Sequence, residues 1–268
     1  MQRTIHALAL IALFHSSAFA TWSIIAVDRA TDQVSIASAT CVAQGRFAGF
    51  PAAGLMDIQA VIVPGKGVAA CQAGVDSTRA NQRLVFEELQ KGTHPDEIIR
   101  MLQRDPNIER RQFGIVDLEG RSAGFSGGGN GAASLSVQGQ VSGTEIYYSI
   151  QGNILAGDDV VYDAARAFEQ AEGSLADRVM AAMEAADAKG GDRRCTCDSE
   201  PILEASCEGK TSHVAYILVA DTDDTNGGSF NDGNYSLYIS ATDEDIQPNE
   251  NANPVITLRM RYDAATGF

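Results

Sequence analysis

Apolar residues in this chain fall mostly into short runs separated by glycine, proline and acidic clusters, and only a few stretches carry helical spacing. Residues 24–27 and 34–39 predict two strands around a turn at 29–33. Residues 58–63 and 68–73 predict a second pair, joined by Pro64-Gly65-Lys66-Gly67, a strong hairpin signal. Between 77 and 90, Leu84, Val85, Phe86 and Leu89 predict a helix. Another starts near Pro95, which suits the first helical position, carries Ile98, Ile99 and Leu102, and stops before Pro106. Residues 113–116 and 123–125 predict a third strand pair turning at Glu119-Gly120, and 145–150 a strand that runs into Gln151-Gly152-Asn153. Two helices follow at 159–171 and 175–188, the second opened by Ser174 and Asp177 at capping-box spacing. Residues 213–220 predict a late strand, 221–234 a polar, acidic, glycine-rich loop, and 235–240 a short final strand. Strands and helix pairs in this order predict an α+β sandwich with helix layers on sheet, not a doubly wound fold. The glycines at 127–131 lack a Walker lysine and a following helix, so they are expected to form a loop and no phosphate cradle.

The first twenty residues have a different pattern. Arg3 supplies a short positive region, residues 7–14 (ALALIALF) an apolar run, and Ala18-Phe19-Ala20 the small-x-small motif that signal peptidase reads. A membrane anchor needs roughly 20 apolar residues, and His15, Ser16 and Ser17 end this run early. The chain is therefore expected to be periplasmic or secreted, with a signal peptide at 1–20, no membrane insertion after its removal, and Thr21 as the first mature residue. The remaining chain of about 250 residues is long enough for one large domain. We expect that domain at 21–220, a cysteine-containing loop at about 195–211, and an acidic C-terminal extension at 221–268.

Charge narrows the partners. With 20 Lys+Arg against 35 Asp+Glu the net charge is −15, and the leader removes one arginine and no acid. So acidic a surface argues against nucleic acid and anionic lipid. Only His94 and His213 lie beyond the leader. His94 precedes Pro95 at a helix start and His213 opens a strand, which leaves a serine triad or a multi-histidine metal site poorly supported; no metal and no cofactor is expected. In an oxidising compartment Cys207 is expected to pair with Cys195 or Cys197 and staple the polar loop between them. The odd count of five leaves one thiol free or paired between chains, so a homo-oligomer stays open.

An N-terminal threonine carries a nucleophilic hydroxyl and a base on one residue. The α-amine has a reference pKa of about 7.7–8.0, so a useful fraction is neutral near neutral pH and no histidine is needed. The strand expected directly after Thr21 would hold that nucleophile on a rigid sheet. Signal peptidase tolerates many residues after its site, so an accidental threonine is the plain alternative.

Residues 21–28 (TWSIIAVD), 35–39 (SIASA), 111–117 (RQFGIVD), 151–157 (QGNILAG) and 190–193 (GGDR) resemble, in matching order, the motifs of the bacterial family called domain of unknown function 1028. The resemblance spans roughly 21–220, and the block at 151–157 is its most specific part. It implies the N-terminal-nucleophile hydrolase fold, a four-layer αββα sandwich, and attack on amide bonds through an acyl-enzyme ester on the N-terminal residue. Cytoplasmic members typically begin Met-Thr, so loss of Met would expose the same threonine that signal peptidase would expose here. Two features depart from the family, the Cys195–Cys207 insertion and the acidic segment after 220.

The supporting residues follow. Thr21, Asn153 and Ser38 are the candidate catalytic set: Asn153 either offers its amide to an oxyanion or shapes a turn, and Ser38 either bonds the Thr21 amine or simply fills a tight sheet. Gln72, Gln151, Asp192 and Arg193 are the candidate substrate contacts, with Asp192 and Arg193 either an ion pair that orients the site or a helix cap. The expected function is an exported amidohydrolase acting on a small amide or ureido substrate. One alternative is a non-catalytic binding or envelope protein on the same fold. Another is a calcium-stabilised module built on Asp221, Asp223, Asp224, Asn226 and Asp232, although that run lacks the closing glutamate of a calcium loop, which favours a solvated or disordered segment.

Overall fold

The computed structural model of the chain describes residues 21–50 and 52–267, so the expected signal peptide and Pro51 lie outside the described residues. In chain order the elements are β1 (Thr21–Asp28), β2 (Gln33–Thr40), α1 (Leu55–Gln59), β3 (Ala60–Val63), β4 (Gly67–Ala73), α2 (Ala80–Lys91), α3 (Pro95–Leu102), β5 (Arg111–Asp117) and β6 (Ser122–Ser126). They continue with β7 (Leu135–Gln140), β8 (Ile146–Asn153), α4 (Asp159–Gln170), α5 (Leu175–Ala188), β9 (Val214–Ala220), β10 (Leu237–Thr242) and α6 (Pro254–Thr266). Two antiparallel sheets result, a six-stranded one ordered β10-β9-β2-β1-β8-β7 and a four-stranded one ordered β3-β4-β5-β6.

β1 shows why its sequence is apolar almost throughout. Trp22, Ile24 and Ala26 face α4 and α5, packing with Val160, Val179 and Met183. Ile25 and Val27 face the second sheet, packing with Val68, Ala70 and Val116. A strand covered on both faces carries no polar alternation. On the far side of the smaller sheet, Val85 and Leu89 of α2 and Ile98 and Leu102 of α3 pack on Val61, Phe113 and Ile115. Each fully buried aliphatic or aromatic side chain of this kind contributes about 1.5–3 kcal/mol. The expected capping box is present: Asp177 N–H donates to Ser174 Oγ at 3.2 Å and Ser174 N–H to Asp177 Oδ2 at 2.8 Å.

Several elements differ from expectation. Ile58 belongs to the short helix α1 and not to the strand after it. The helix expected from 77 starts at Ala80, because Asp76 accepts from Thr78 N–H and Asn81 N–H and holds the chain in a turn before it. β7 was not foreseen: Leu135 and Val137 alternate with Ser136, Gln138 and Gly139 in a pattern too polar to stand out. Residues 221–234, read as a solvated or disordered loop, are packed against β3. Ile62 N–H donates to the Phe230 carbonyl at 2.8 Å, the Asn231 amide to the Ala60 carbonyl at 3.0 Å, and Phe230 is buried. The segment thereby covers an otherwise open sheet edge. The residues read as an acidic extension also supply β10, the edge of the larger sheet, and α6, which buries Val255, Leu258 and Tyr262 under it. Asn253 caps that helix by accepting from Val255 N–H, with Pro254 at its first position.

The chain carries two disulfides. Cys197–Cys207 closes the polar loop as one of the two expected pairings, and Cys41–Cys195 ties that loop to the end of β2. Cys71 is the free thiol. Among the described residues no helix is long and apolar enough to cross a membrane.

Candidate active site

Three strand ends meet at one point. Thr21 opens β1, Thr40 closes β2 and Asn153 closes β8, and the register sets Thr21 directly opposite both. Opposed residues of an antiparallel pair project to the same face, here the face turned to the second sheet, since Ile25 on β1 shares it. All three residues are buried. The Thr21 hydroxyl donates to Thr40 Oγ1 at 3.3 Å, and Thr40 Oγ1 also accepts from Val42 N–H at 3.3 Å.

The opposing sheet supplies the support. Gln72 Nε2 donates to the Thr21 carbonyl at 3.1 Å and to Gln112 Oε1 at 2.8 Å, while its Oε1 accepts from Ser23 Oγ at 2.7 Å and Gln59 Nε2 at 2.6 Å. A carboxamide has two donors and two acceptor positions, and Gln72 uses all four inside the protein. It holds the Thr21 carbonyl while also lining the cavity beside that residue. Gln112 continues the chain of contacts by donating to the Gly152 carbonyl at 2.8 Å, beside Asn153. Gln72→Ala strands several buried polar groups at once, each costing about 1–3 kcal/mol unless water from the neighbouring cavity replaces the lost partner. The expected net loss is about 2–3 kcal/mol, read as a lower urea midpoint at unchanged slope.

The backbone is strained around this point. Ala73, directly after Gln72, has φ of 70°, and Ile154, directly after Asn153, has φ of 55°. A left-handed conformation is a genuine outlier for a β-branched residue, and such strain costs about 1–3 kcal/mol and collects at functional sites. Two glycines permit the close packing. A Cβ on Gly152 would lie 2.6 Å from Leu155, and one on Gly191, whose φ is 43°, would lie 2.5 Å from the Trp22 ring.

Thr21, Gln72, Cys71, Asp76 and Arg111 line a small cavity of about 30 Å³. Arg111 is anchored by Asp105 at 2.7 Å and by the Gly74 carbonyl at 2.6 Å. Burial alone would raise the pKa of Asp105, but hydrogen bonds from Asn81, Asn107 and Arg111 hold its carboxyl below the usual value. Next to this cavity lies a cleft of about 880 Å³ lined by Arg46, Arg110, Arg111, Arg194, Glu200 and His213 among others.

The other candidate residues are placed as follows. The Ser38 hydroxyl donates to the Trp22 carbonyl at 2.6 Å, so its proton serves the strand and not the Thr21 nitrogen. Gln151 is buried between the sheets, with Nε2 on the Ala70 carbonyl at 3.3 Å, and lines neither cavity. Asp192 is buried and accepts from Cys41 N–H at 3.0 Å. Its ion pair is with Arg194, at 2.7 Å, and not with Arg193, which is exposed. The two-residue spacing lets Arg194 fold back onto the carboxylate and leaves Arg193 outward. Thr40, Gln59, Gln112 and Arg194 were not singled out from sequence. Their signal is the strand register and a turn geometry, neither of which is local; Arg111 and Gln112 did lie inside a motif already noted.

His213 is buried, and its ring Nδ1 has no hydrogen-bond partner among the described residues. Burial, then Lys210 and Arg194, push its pKa from 6.5 down to about 4. His213 Nδ1 or Nε2 and the sulfurs of Cys41 and Cys195 lie within 4.8 Å of one another, but the sulfurs are joined in a disulfide and offer no thiolate. A histidine kept neutral by the fold contributes stability that is complete above pH 6.5 and lost as pH falls towards 4. The parent should therefore lose stability over that interval more steeply than His213→Gln, by denaturant unfolding at pH 7 and pH 4.5.

The family model described as a family of unknown function (DUF1028) matches residues 21–226. The chain belongs to the DUF1028 family. A similar solved structure is the crystal structure of protein SPO2555 from Silicibacter pomeroyi, a DUF1028 protein, at 22% identity and a TM-score of 0.64 over 92% of this chain and 89% of that one. At that identity the likeness speaks to fold alone. No curated protein matches the chain significantly. The DUF1028 match opens at Thr21, the residue at the centre of the site.

Proposed function

We propose that this DUF1028 protein is an exported amidohydrolase with the four-layer αββα sandwich of N-terminal-nucleophile hydrolases, cleaving a small amide or ureido C–N bond. The observation that carries the reading is the placement of Thr21: first residue of the central strand, lining a cavity, with Thr40 and Asn153 opposite. The order of helices, sheet, sheet and helices around it supports the same reading, as does a family match that starts at that residue. Two disulfides fit a protein that works in an oxidising compartment.

Removing residues 1–20 converts the Thr21 nitrogen from a peptide amide into a primary amine. That amine takes the hydroxyl proton as Oγ1 attacks the substrate carbonyl, and the negative charge moves to the carbonyl oxygen, with the Asn153 amide across the strand as its candidate donor. The amine then returns the proton to the leaving nitrogen as the C–N bond breaks, leaving an ester on Thr21. Water, deprotonated by the same amine, hydrolyses the ester. The test is turnover of Thr21→Ala beside the parent, on protein whose N-terminus has been sequenced.

A further inference from the structure

Thr21 lines a small cavity of about 30 Å³ that opens beside a cleft of about 880 Å³, and the two share Gly74, Val75 and Arg111. A substrate reacting at Thr21 therefore extends into that cleft. The charged lining of that cleft is four arginines, Arg46, Arg110, Arg111 and Arg194, against a single acid, Glu200. In a chain of net charge −15 this is a local reversal of sign. Asp105 and Asp192 offset Arg111 and Arg194 in part. Arg46 is exposed and makes no ion pair among the described residues. In the same lining, the buried His213 leaves its ring Nδ1 without a partner among the described residues.

We propose that the substrate carries an anionic group remote from its scissile bond, a carboxylate or phosphate held in this cleft by Arg46, Arg110 and Arg194. Guanidinium groups match the planar geometry of such anions and bond them with charge assistance. Low-dielectric walls concentrate the positive field inside the cleft although the whole surface is acidic, so an anion is drawn in against the net charge. The cysteine loop acquires a purpose in this arrangement. The Cys41–Cys195 disulfide holds the segment bearing Arg194 and Glu200 as one wall of the cleft.

The proposal rests on the Thr21 reading only for where the reacting end sits, and its test reads binding. Citrate is titrated calorimetrically into the processed parent and into Thr21→Ala, with trimethyl citrate as the uncharged control. Saturable citrate binding to both proteins is expected, weakening several-fold as salt is raised. Arg46→Ala and Arg110→Ala are each expected to weaken it by about 3–10-fold and together by about 30-fold or more. Arg166→Ala, on α4 away from the cleft, should leave it unchanged. Both cleft arginines are exposed, so the variants are expected to remain folded, which thermal melts check. No saturable citrate binding, equal binding of trimethyl citrate, or parental affinity in the double variant overturns the proposal. Arginine-dependent citrate binding in a parent whose turnover is unaffected by Thr21→Ala would overturn only the catalytic reading.

Discussion

Thr21→Ala is expected to lower amide turnover by about 10⁴-fold or more, because it removes the atom proposed to form the covalent bond to the substrate. The fold should survive, since the hydroxyl contact to Thr40 Oγ1 at 3.3 Å is worth about 1 kcal/mol. Thr21→Ser keeps both hydroxyl and amine and should retain part of the activity. A protein with its amine acetylated, or with even one residue left before Thr21, keeps the hydroxyl but has lost the base. It should fall by about 10²–10⁴-fold, the usual worth of general-base assistance. The parent's turnover should rise with pH through about 7.7–8.0 as the amine becomes neutral, and level off above it. Thr21→Ala turning over at the parental rate would refute the assignment and leave a binding protein on this fold.

Loss of the Cys41–Cys195 disulfide should be the largest single stability change among the cystines. It joins residues 154 apart, whereas Cys197–Cys207 joins residues 10 apart. On the loop-entropy model these spans correspond to about 5 and about 3 kcal/mol respectively. The Cys41→Ser/Cys195→Ser double variant should accordingly unfold at markedly lower urea than Cys197→Ser/Cys207→Ser, both measured at equilibrium. The first pair also fixes one wall of the arginine cleft, so its loss should weaken citrate binding, while loss of the second should affect it less. Equal midpoints for the two double variants would show that the Cys41 tether does not constrain the unfolded chain as supposed.

The elements carried by local signals were legible without coordinates. The hairpin at 64–67, the capping box at Ser174, the proline-led start of α3 and the apolar runs of β1, β2 and β9 each depend on residues close in sequence. β7 and α6 were not legible. β7 is polar on the face it shares with Gln138 and Ser149, which bond each other at 3.0 Å, and α6 has weak amphipathic spacing because neighbouring elements define what it buries. The internal order of the loop at 221–234 was not legible for a related reason. Acidic composition suggests solvation, but Asp232 accepts from Gly228 N–H and Ser229 N–H at 2.8 Å each, and Asp224 from Asp221 N–H and Ser236 N–H at 2.8 Å each. Those carboxylates serve as internal caps for the loop.

The sequence by itself determined the family, the presence of an apolar strand close behind Thr21, and the candidacy of that threonine as a nucleophile. All three rest on residue identity and near neighbours. Tertiary structure decided what surrounds that threonine. Thr40 and Asn153 reach it only through strand register, Gln72 only because a second sheet stacks over the first, and Arg194 displaces Arg193 from the ion pair because of one turn. The arginine cleft is likewise assembled from segments as distant as Arg46, Arg110 and Arg194. Net charge sums over the whole chain, whereas the field a substrate meets depends on which few charges the fold brings into one low-dielectric cleft.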